Sequence, residues 1–391
     1  MRKHFRFLSL LLAVLLALPL PAAAAEPDAD WLIPKARDYG AFTDTAGTIC
    51  ETAARVCCET GLMDGIDGKH FMPYIGLTSA QTMVICARLH RLLGGGTLEY
   101  FEPISLKGPD WWKPYDQYLR QQLPALEEAA FYTVLRSDPQ RPCYRGEFLR
   151  LLSAVLTAQA VSLPELNAVS AVPDCKDPEL LMLCRGGVLT GKDRYGLLEE
   201  YASLSRAAAA VTLARVIDPA QRVTVTFETL ELCRDALGVE PDTVLATVNG
   251  RDISAELLAP ALASYLDAYN HDHLSHRDTP WDNAQSILDD LTTAAALEVL
   301  TEQKGLTLPE VDAALYPDGY RGYTSRGQVW EAEHEALWTA LSALYPTREE
   351  LEAALSETGV QAEPTQAWKD LDLDDAAIRL ENLPGWEWNH H

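Results

Sequence analysis

Two arginines stand at helix starts, where a cation is electrostatically out of place. Arg145 lies in Cys143-Tyr144-Arg145-Gly146-Glu147 and Arg206 in Leu204-Ser205-Arg206-Ala207-Ala208. Leu77-Thr78-Ser79-Ala80-Gln81 has similar surroundings, with serine in the arginine's place. Positions 79, 145 and 206 are 66 and then 61 residues apart, a spacing constant enough to read as a degenerate internal repeat. In the first copy Thr78 and Gln81 have the spacing of a capping box, a purely structural device. Capping does not explain arginine, because its charge sits against the positive end of the helix dipole. It fits better as one arm of an anion site, its fork working with the free N–H groups of the helix start. Glu147 is expected to support the helix start in the second copy.

Helices must position these residues. Gly47 to Thr60 carries Ile49, Ala53, Val56 and Cys57 at helical spacing and is closed by Gly61. A loop with Asp64, Asp67 and Gly68 leads to Thr78, which opens a helix through Met83, Ile85, Cys86 and Leu89. That loop lacks the alternating acidic positions and terminal glutamate of an EF-hand, so calcium is not expected there. Leu92 to Lys113, with Gly94-Gly95-Gly96, Pro103, Gly108 and Pro109, reads as a connector.

The string Phe42-Thr43-Asp44, Gly61-Leu62-Met63-Asp64-Gly65, Phe71-Met72-Pro73 and Leu77-Thr78-Ser79-Ala80-Gln81 resembles an S-layer homology (SLH) repeat. So does Val172-Pro173-Asp174, Gly187-Val188-Leu189-Thr190-Gly191, Leu204-Ser205-Arg206-Ala207 and Ala214-Arg215-Val216-Ile217-Asp218-Pro219. The middle copy offers Trp111-Trp112-Lys113-Pro114-Tyr115 and Arg145-Gly146-Glu147 but lacks the Gly-rich loop between them. The resemblance covers roughly 38–222, as copies of about 38–93, 100–160 and 165–222. It implies three helical repeats in a pseudo-threefold bundle that binds an anionic secondary polymer of a Gram-positive cell wall. Its candidate contacts are Arg145, Arg206, Glu147, Asp44, Asp174 and Trp111. Ser79 departs from the family's arginine.

The start of the chain agrees with a surface location. Arg2, Lys3 and Arg6 precede an apolar run from Leu8 to Leu20 and then Pro21 and Ala22 to Ala25, the parts of a secretory signal peptide covering residues 1–25. Glu26, not cysteine, follows the expected cleavage point, which argues against a lipid anchor there. An uncleaved membrane anchor is the alternative reading, though the run is short for a span. No span is expected in the mature chain. The net charge of −25 argues against nucleic acid and against binding an anionic membrane by charge alone. It also means that an anionic polymer must be held by local arginines, workable because salt screens charges over roughly 8 Å. The eight cysteines, Cys50 to Cys233, form neither a CxxC pair nor a zinc spacing. Buried free thiols and one or two bridges are the alternatives.

After about residue 240 the pattern changes. Val244 to Ile253 is β-prone around an Asn249-Gly250 turn, and Ser254 caps a helix bearing Leu257, Leu258, Leu262, Tyr265 and Leu266. A second helix starts near Thr279-Pro280-Trp281 and closes at Lys304-Gly305; a third runs from about Val329 to Leu344; a fourth starts at the Thr347/Glu350 capping box and ends near Gly359. Thr247-Val248-Asn249-Gly250, Ile253-Ser254-Ala255-Glu256 and Glu302-Gln303-Lys304-Gly305-Leu306-Thr307-Leu308 resemble the chaperone domain of SurA-like and PrsA-like foldases. The resemblance implies that 240–391 holds non-native secreted polypeptide on an apolar helical surface, with Tyr265, Tyr269, Trp281, Trp330 and Trp338 as candidates to line it. A parvulin isomerase domain is not found, so isomerase activity is not carried over. A structural S-layer-associated protein without chaperone activity is the alternative.

His271, His273 and His276 cluster between the first two C-terminal helices, where an exposed loop is the plainer reading than a metal site. No Ser/His/Asp order, phosphate loop or HExxH string occurs, and neither catalysis, a cofactor nor a metal is expected. The expected fold is mainly α, three SLH-like repeats followed by a helical chaperone-like domain with a short β-turn element.

Overall fold

The structure, a computed structural model, describes residues 31–101, 108–270, 280–307 and 310–383. The signal-like segment 1–25, His271, His273, His276 and the side chains of Tyr269 and Trp281 lie outside what is described. The protein is mainly α-helical, with helices α1 (Glu51–Glu59), α2 (Ser79–Leu93), α3 (Lys113–Gln122), α4 (Ala130–Ser137), α5 (Arg145–Ala158), α6 (Pro178–Arg185), α7 (Arg206–Ile217), α8 (Ala255–Asn270), α9 (Pro280–Gln303), α10 (Ser325–Ser342), α11 (Arg348–Ser356), α12 (Gln366–Lys369) and α13 (Leu373–Glu381). A small antiparallel sheet of order β2-β1-β3 joins β1 (Val244–Val248), β2 (Arg251–Ser254) and β3 (Ala362–Pro364). No helix among the described residues is long and apolar enough to cross a membrane.

The contacts group these elements into two units. The first holds the described residues of 31–74, 91–101 and 206–222. In it α1 lies along α7, whose run of alanines lets the backbones approach: the Cys57 thiol is 3.6 Å from the Ala210 carbonyl. The extended residues before α1 are tied down as Leu32 N–H donates to the Ile217 carbonyl and Ala36 and Arg37 N–H to that of Glu59. Buried Glu59 is neutralised by Lys35 at 2.9 Å and Arg55 at 3.0 Å. One sequence expectation fails here. Gly47 has φ +71° and its N–H goes to the Glu51 carboxylate, so the helix starts only after Cys50 and Ile49 is left 97 % exposed instead of in the core.

The second unit holds the described residues of 75–90, 108–205 and 223–383. Helix α5 packs on α6 and α4. Buried His90 is fixed between the Tyr118 hydroxyl at 3.0 Å and the Gln159 amide at 2.8 Å, and buried Asp116 accepts from the Tyr132 hydroxyl at 3.0 Å. His90 and Asp116, both buried, are thus each hydrogen-bonded.

In the C-terminal part of this unit, Asn249 and Gly250, both at positive φ, form the two-residue turn that pairs β1 with β2. An apolar cluster from β1, α8, α13 and the turn Cys233–Leu237 backs the sheet; a second one joins α9, α10 and α11. Pro260 stands inside α8 and cannot donate to the Glu256 carbonyl one turn earlier. Gly327 of α10 packs against that same carbonyl so closely that a Cβ would lie 2.4 Å from it. Strand β3 and helices α12 and α13, which the sequence reading did not identify, close this core through Trp368, Leu373, Ala377 and Leu380.

Candidate functional site

The chain just before each of the three helix starts joins a closed ring of backbone hydrogen bonds. Leu77 N–H donates to Leu204 (2.8 Å), Leu204 to Cys143 (2.9 Å) and Cys143 back to Leu77 (2.9 Å). All three side chains are buried, and short bridges link Gly76 to Ser205, Thr78 to Pro142 and Tyr144 to Ser203. A ring of this kind needs three extended segments of equivalent conformation.

The first N–H groups of these helices are not free. Ser79 and Ala80 donate to the carbonyls of Arg141 and Pro139, Arg145 and Gly146 to those of Ala202 and Glu200, and Ala207 to that of Pro73. This corrects, for these five groups, the expectation that helix-start N–H groups would share in binding an anion: backbone carbonyls already take the first two at α2 and α5 and that of Ala207 at α7. The capping box at α2 is present, with Thr78 N–H to Gln81 at 3.0 Å and Gln81 N–H to Thr78 at 3.3 Å. At α5, Glu147 accepts from Tyr144 N–H at 2.9 Å and from Arg141.

Asp44 and Asp174 do one job in two places. The Asp44 carboxylate takes the N–H groups of Phe71 (2.8 Å) and Met72 (2.7 Å); that of Asp174 takes those of Leu198 (3.0 Å) and Glu199 (2.7 Å). Met72 and Glu199 share a positive φ, near +58° and +52°, so each aspartate holds a strained turn closed. Burial works against both charges. At Asp44 the backbone donors prevail and the pKa is lowered; at Asp174 burial prevails and it is raised. Both oxygens of each carboxylate are thus engaged in holding the fold.

The two arginines differ sharply. Arg206, 6 % exposed, donates through Nε to the Phe71 carbonyl (2.8 Å) and through Nη2 to that of Asp64 (2.5 Å), and stacks on the Phe71 ring at 4.6 Å. Burial lowers its pKa, opposed by Cys57, Asp64 and Asp44. The Arg145 side chain makes no hydrogen bond or ion pair among the described residues, and its Nε is enclosed without a partner. Burial lowers its pKa too, opposed by the nearby Glu199, Cys184 and Asp174. Ser79, in the corresponding place of α2, is fully enclosed and its hydroxyl is unbonded.

Around α5 the surface is aromatic and charged. Tyr144 and Tyr201, 43 % and 53 % exposed, meet edge to face at 6.5 Å, with the Arg141 guanidinium 5.4 Å from the Tyr144 ring. Arg150 pairs with Glu200 at 2.5 Å over Gly146, where a Cβ would come within 2.9 Å of the Glu200 Cβ. Sequence reasoning missed Tyr144, Tyr201, Arg141 and Arg150. Tyrosine just before a helix start was the available signal. Trp111 is half-buried, and its neighbour Trp112 is the buried member of the pair.

In the C-terminal part, Tyr265 donates to Asp290 at 2.8 Å, and both Tyr265 and Trp330 pack on the sheet-backing core. Trp330 also stacks on His334, with centroids 4.1 Å apart, and borders a cleft of about 310 Å³. Trp338 packs on the second cluster and lines a wider groove with Arg348, Leu355 and Val360. All eight cysteines are free thiols, seven of them buried, and burial pushes Cys143 and Cys184 up to about 12, which makes them inert. Comparison of the chain with protein-family models, curated proteins and solved structures gave no match.

Proposed function

We propose that this is a cell-surface protein held non-covalently to an anionic secondary cell-wall polymer by three SLH-like helical repeats around a pseudo-threefold axis, with a chaperone-like holdase module in 240–391 for secreted polypeptides. The repeat reading is supported by the Leu77–Cys143–Leu204 ring, which takes one segment from each proposed repeat, and by the matched turns that Asp44 and Asp174 hold. The single observation that carries polymer binding is Arg145. A half-buried guanidinium whose enclosed Nε has no hydrogen bond is costly, and an arriving carboxylate or phosphate would supply a partner for the guanidinium, worth roughly 1.5–3 kcal/mol per charged hydrogen bond. Tyr144 and Tyr201 beside it offer ring faces on which sugars stack.

The test is co-sedimentation of the mature protein with cell-wall sacculi, before and after chemical removal of the secondary polymer. Binding that vanishes with the polymer is expected; equal binding to stripped sacculi overturns the reading. The holdase module is tested by ATP-independent suppression of light scattering when a denatured protein is diluted into stoichiometric amounts of this one. A second reading, a structural surface protein without chaperone activity, is favoured by Tyr265, Trp330 and Trp338 packing on their own cores. Unchanged scattering decides for it.

A further inference from the structure

The cleft beside β2 combines a free strand edge with an uneven charge. Strand β2 ends the sheet and pairs only with β1 among the described residues. Val248 and Arg251 flank a two-residue turn and so exchange both hydrogen bonds; the next pair, Thr247 and Asp252, exchanges none. The N–H and C=O of Asp252 therefore point away from β1, toward the open side. There Ile253, Leu257, Leu291 and Trp330 line the cleft of about 310 Å³. Of the charged groups at its rim, Arg251 is paired with Glu298 and Arg326 with Glu256. The carboxylates of Asp252 and Glu333 have no hydrogen-bond or ion-pair partner among the described residues, which leaves the cleft with two uncompensated negative charges.

We propose that this cleft binds an extended polypeptide segment by strand addition to β2, an apolar side chain entering between Leu257 and Trp330 and a lysine or arginine of the same segment meeting Asp252 and Glu333. An edge strand supplies backbone hydrogen bonds to any sequence, and the adjoining pocket selects alternate side chains. The charge selects basic segments, and the net charge of −25 steers them in. The inference gives a binding mode to the proposed holdase module and rests on that reading.

The test uses the full-length protein and fluorescein-labelled octapeptides followed by anisotropy: one alternating leucine with lysine, one with glutamate for lysine, and one with alternate backbone amides N-methylated. The lysine peptide is expected to bind and the other two at least tenfold more weakly. Asp252→Asn together with Glu333→Gln should remove the preference for lysine over glutamate while circular dichroism stays that of the parent. Equal binding of the N-methylated peptide overturns strand addition, and an unchanged preference in the double variant overturns the charge assignment. Concentration-dependent dimerisation competed by the peptide would make a second copy the occupant and overturn the proposal as well. Suppressed aggregation without peptide binding sinks the cleft but leaves the holdase; peptide binding without suppression does the reverse.

Discussion

Arg206 and Arg145 each open a helix at the corresponding place in two similar stretches of sequence, yet their surroundings use them differently. Arg206 spends its fork on the carbonyls of Phe71 and Asp64 and its face on the Phe71 ring, so it holds the loop between Gly61 and Phe71 in shape. The Arg145 side chain is left with nearby charges but no hydrogen bond among the described residues. The lesson is that a motif residue's position predicts its place in the fold, whereas its job depends on whether neighbouring carbonyls reach it first.

The largest expected effect is on stability. Arg206→Ala strands two carbonyl acceptors and opens a hole beside Phe71, which should cost about 3 kcal/mol, read as a fall in the midpoint of urea unfolding. A loss below about 1 kcal/mol would break the comparison on that side. Arg145→Ala should do the reverse. Its unfolding midpoint should match the parent's, since it removes a half-buried cation whose side chain has no hydrogen bond to lose among the described residues, while sacculus binding weakens by roughly tenfold to a hundredfold. Unweakened binding would falsify its assigned role.

A subtler difference separates the two aspartates. Asp44 has a lowered folded pKa, so its stabilisation is present above the unfolded value near 3.8 and is lost as pH falls through the folded value. Asp174 has a raised folded pKa, so folding favours its protonated form and stability is gained as pH falls from above the folded value toward 3.8. Asp44→Asn should therefore flatten the loss of stability below about pH 4, and Asp174→Asn should remove a gain at and just above it. Unfolding midpoints measured from pH 6 to 3 check both, and identical slopes for the two variants would erase the distinction.

Much of the architecture was legible in the residues. Thr78 with Gln81, Asn249-Gly250 and Thr347 with Glu350 act over two to four residues through local hydrogen bonds, and local chemistry of that range reads directly from a sequence. Periodic apolar residues marked α2, α8 and α9 for the same reason. Ile49 was misplaced because a turn at Gly47 broke the helical period two residues before it, and α13 went unnoticed at the end of a strongly acidic stretch.

What the sequence determined by itself was therefore the starts of α2, α5, α7, α8 and α11, the positions of Arg145 and Arg206 within them, and the Asn-Gly hairpin. Only the tertiary structure decided which helix-start N–H groups were already bonded, which arginine met carbonyls and which met none, and that β3 would leave β2 as a free edge. The physical reason is range. Capping and periodicity are settled within one or two turns of chain, but the partner of a buried charge arrives from far along it: Arg206 is satisfied by residues more than a hundred positions earlier, and no local pattern encodes that approach.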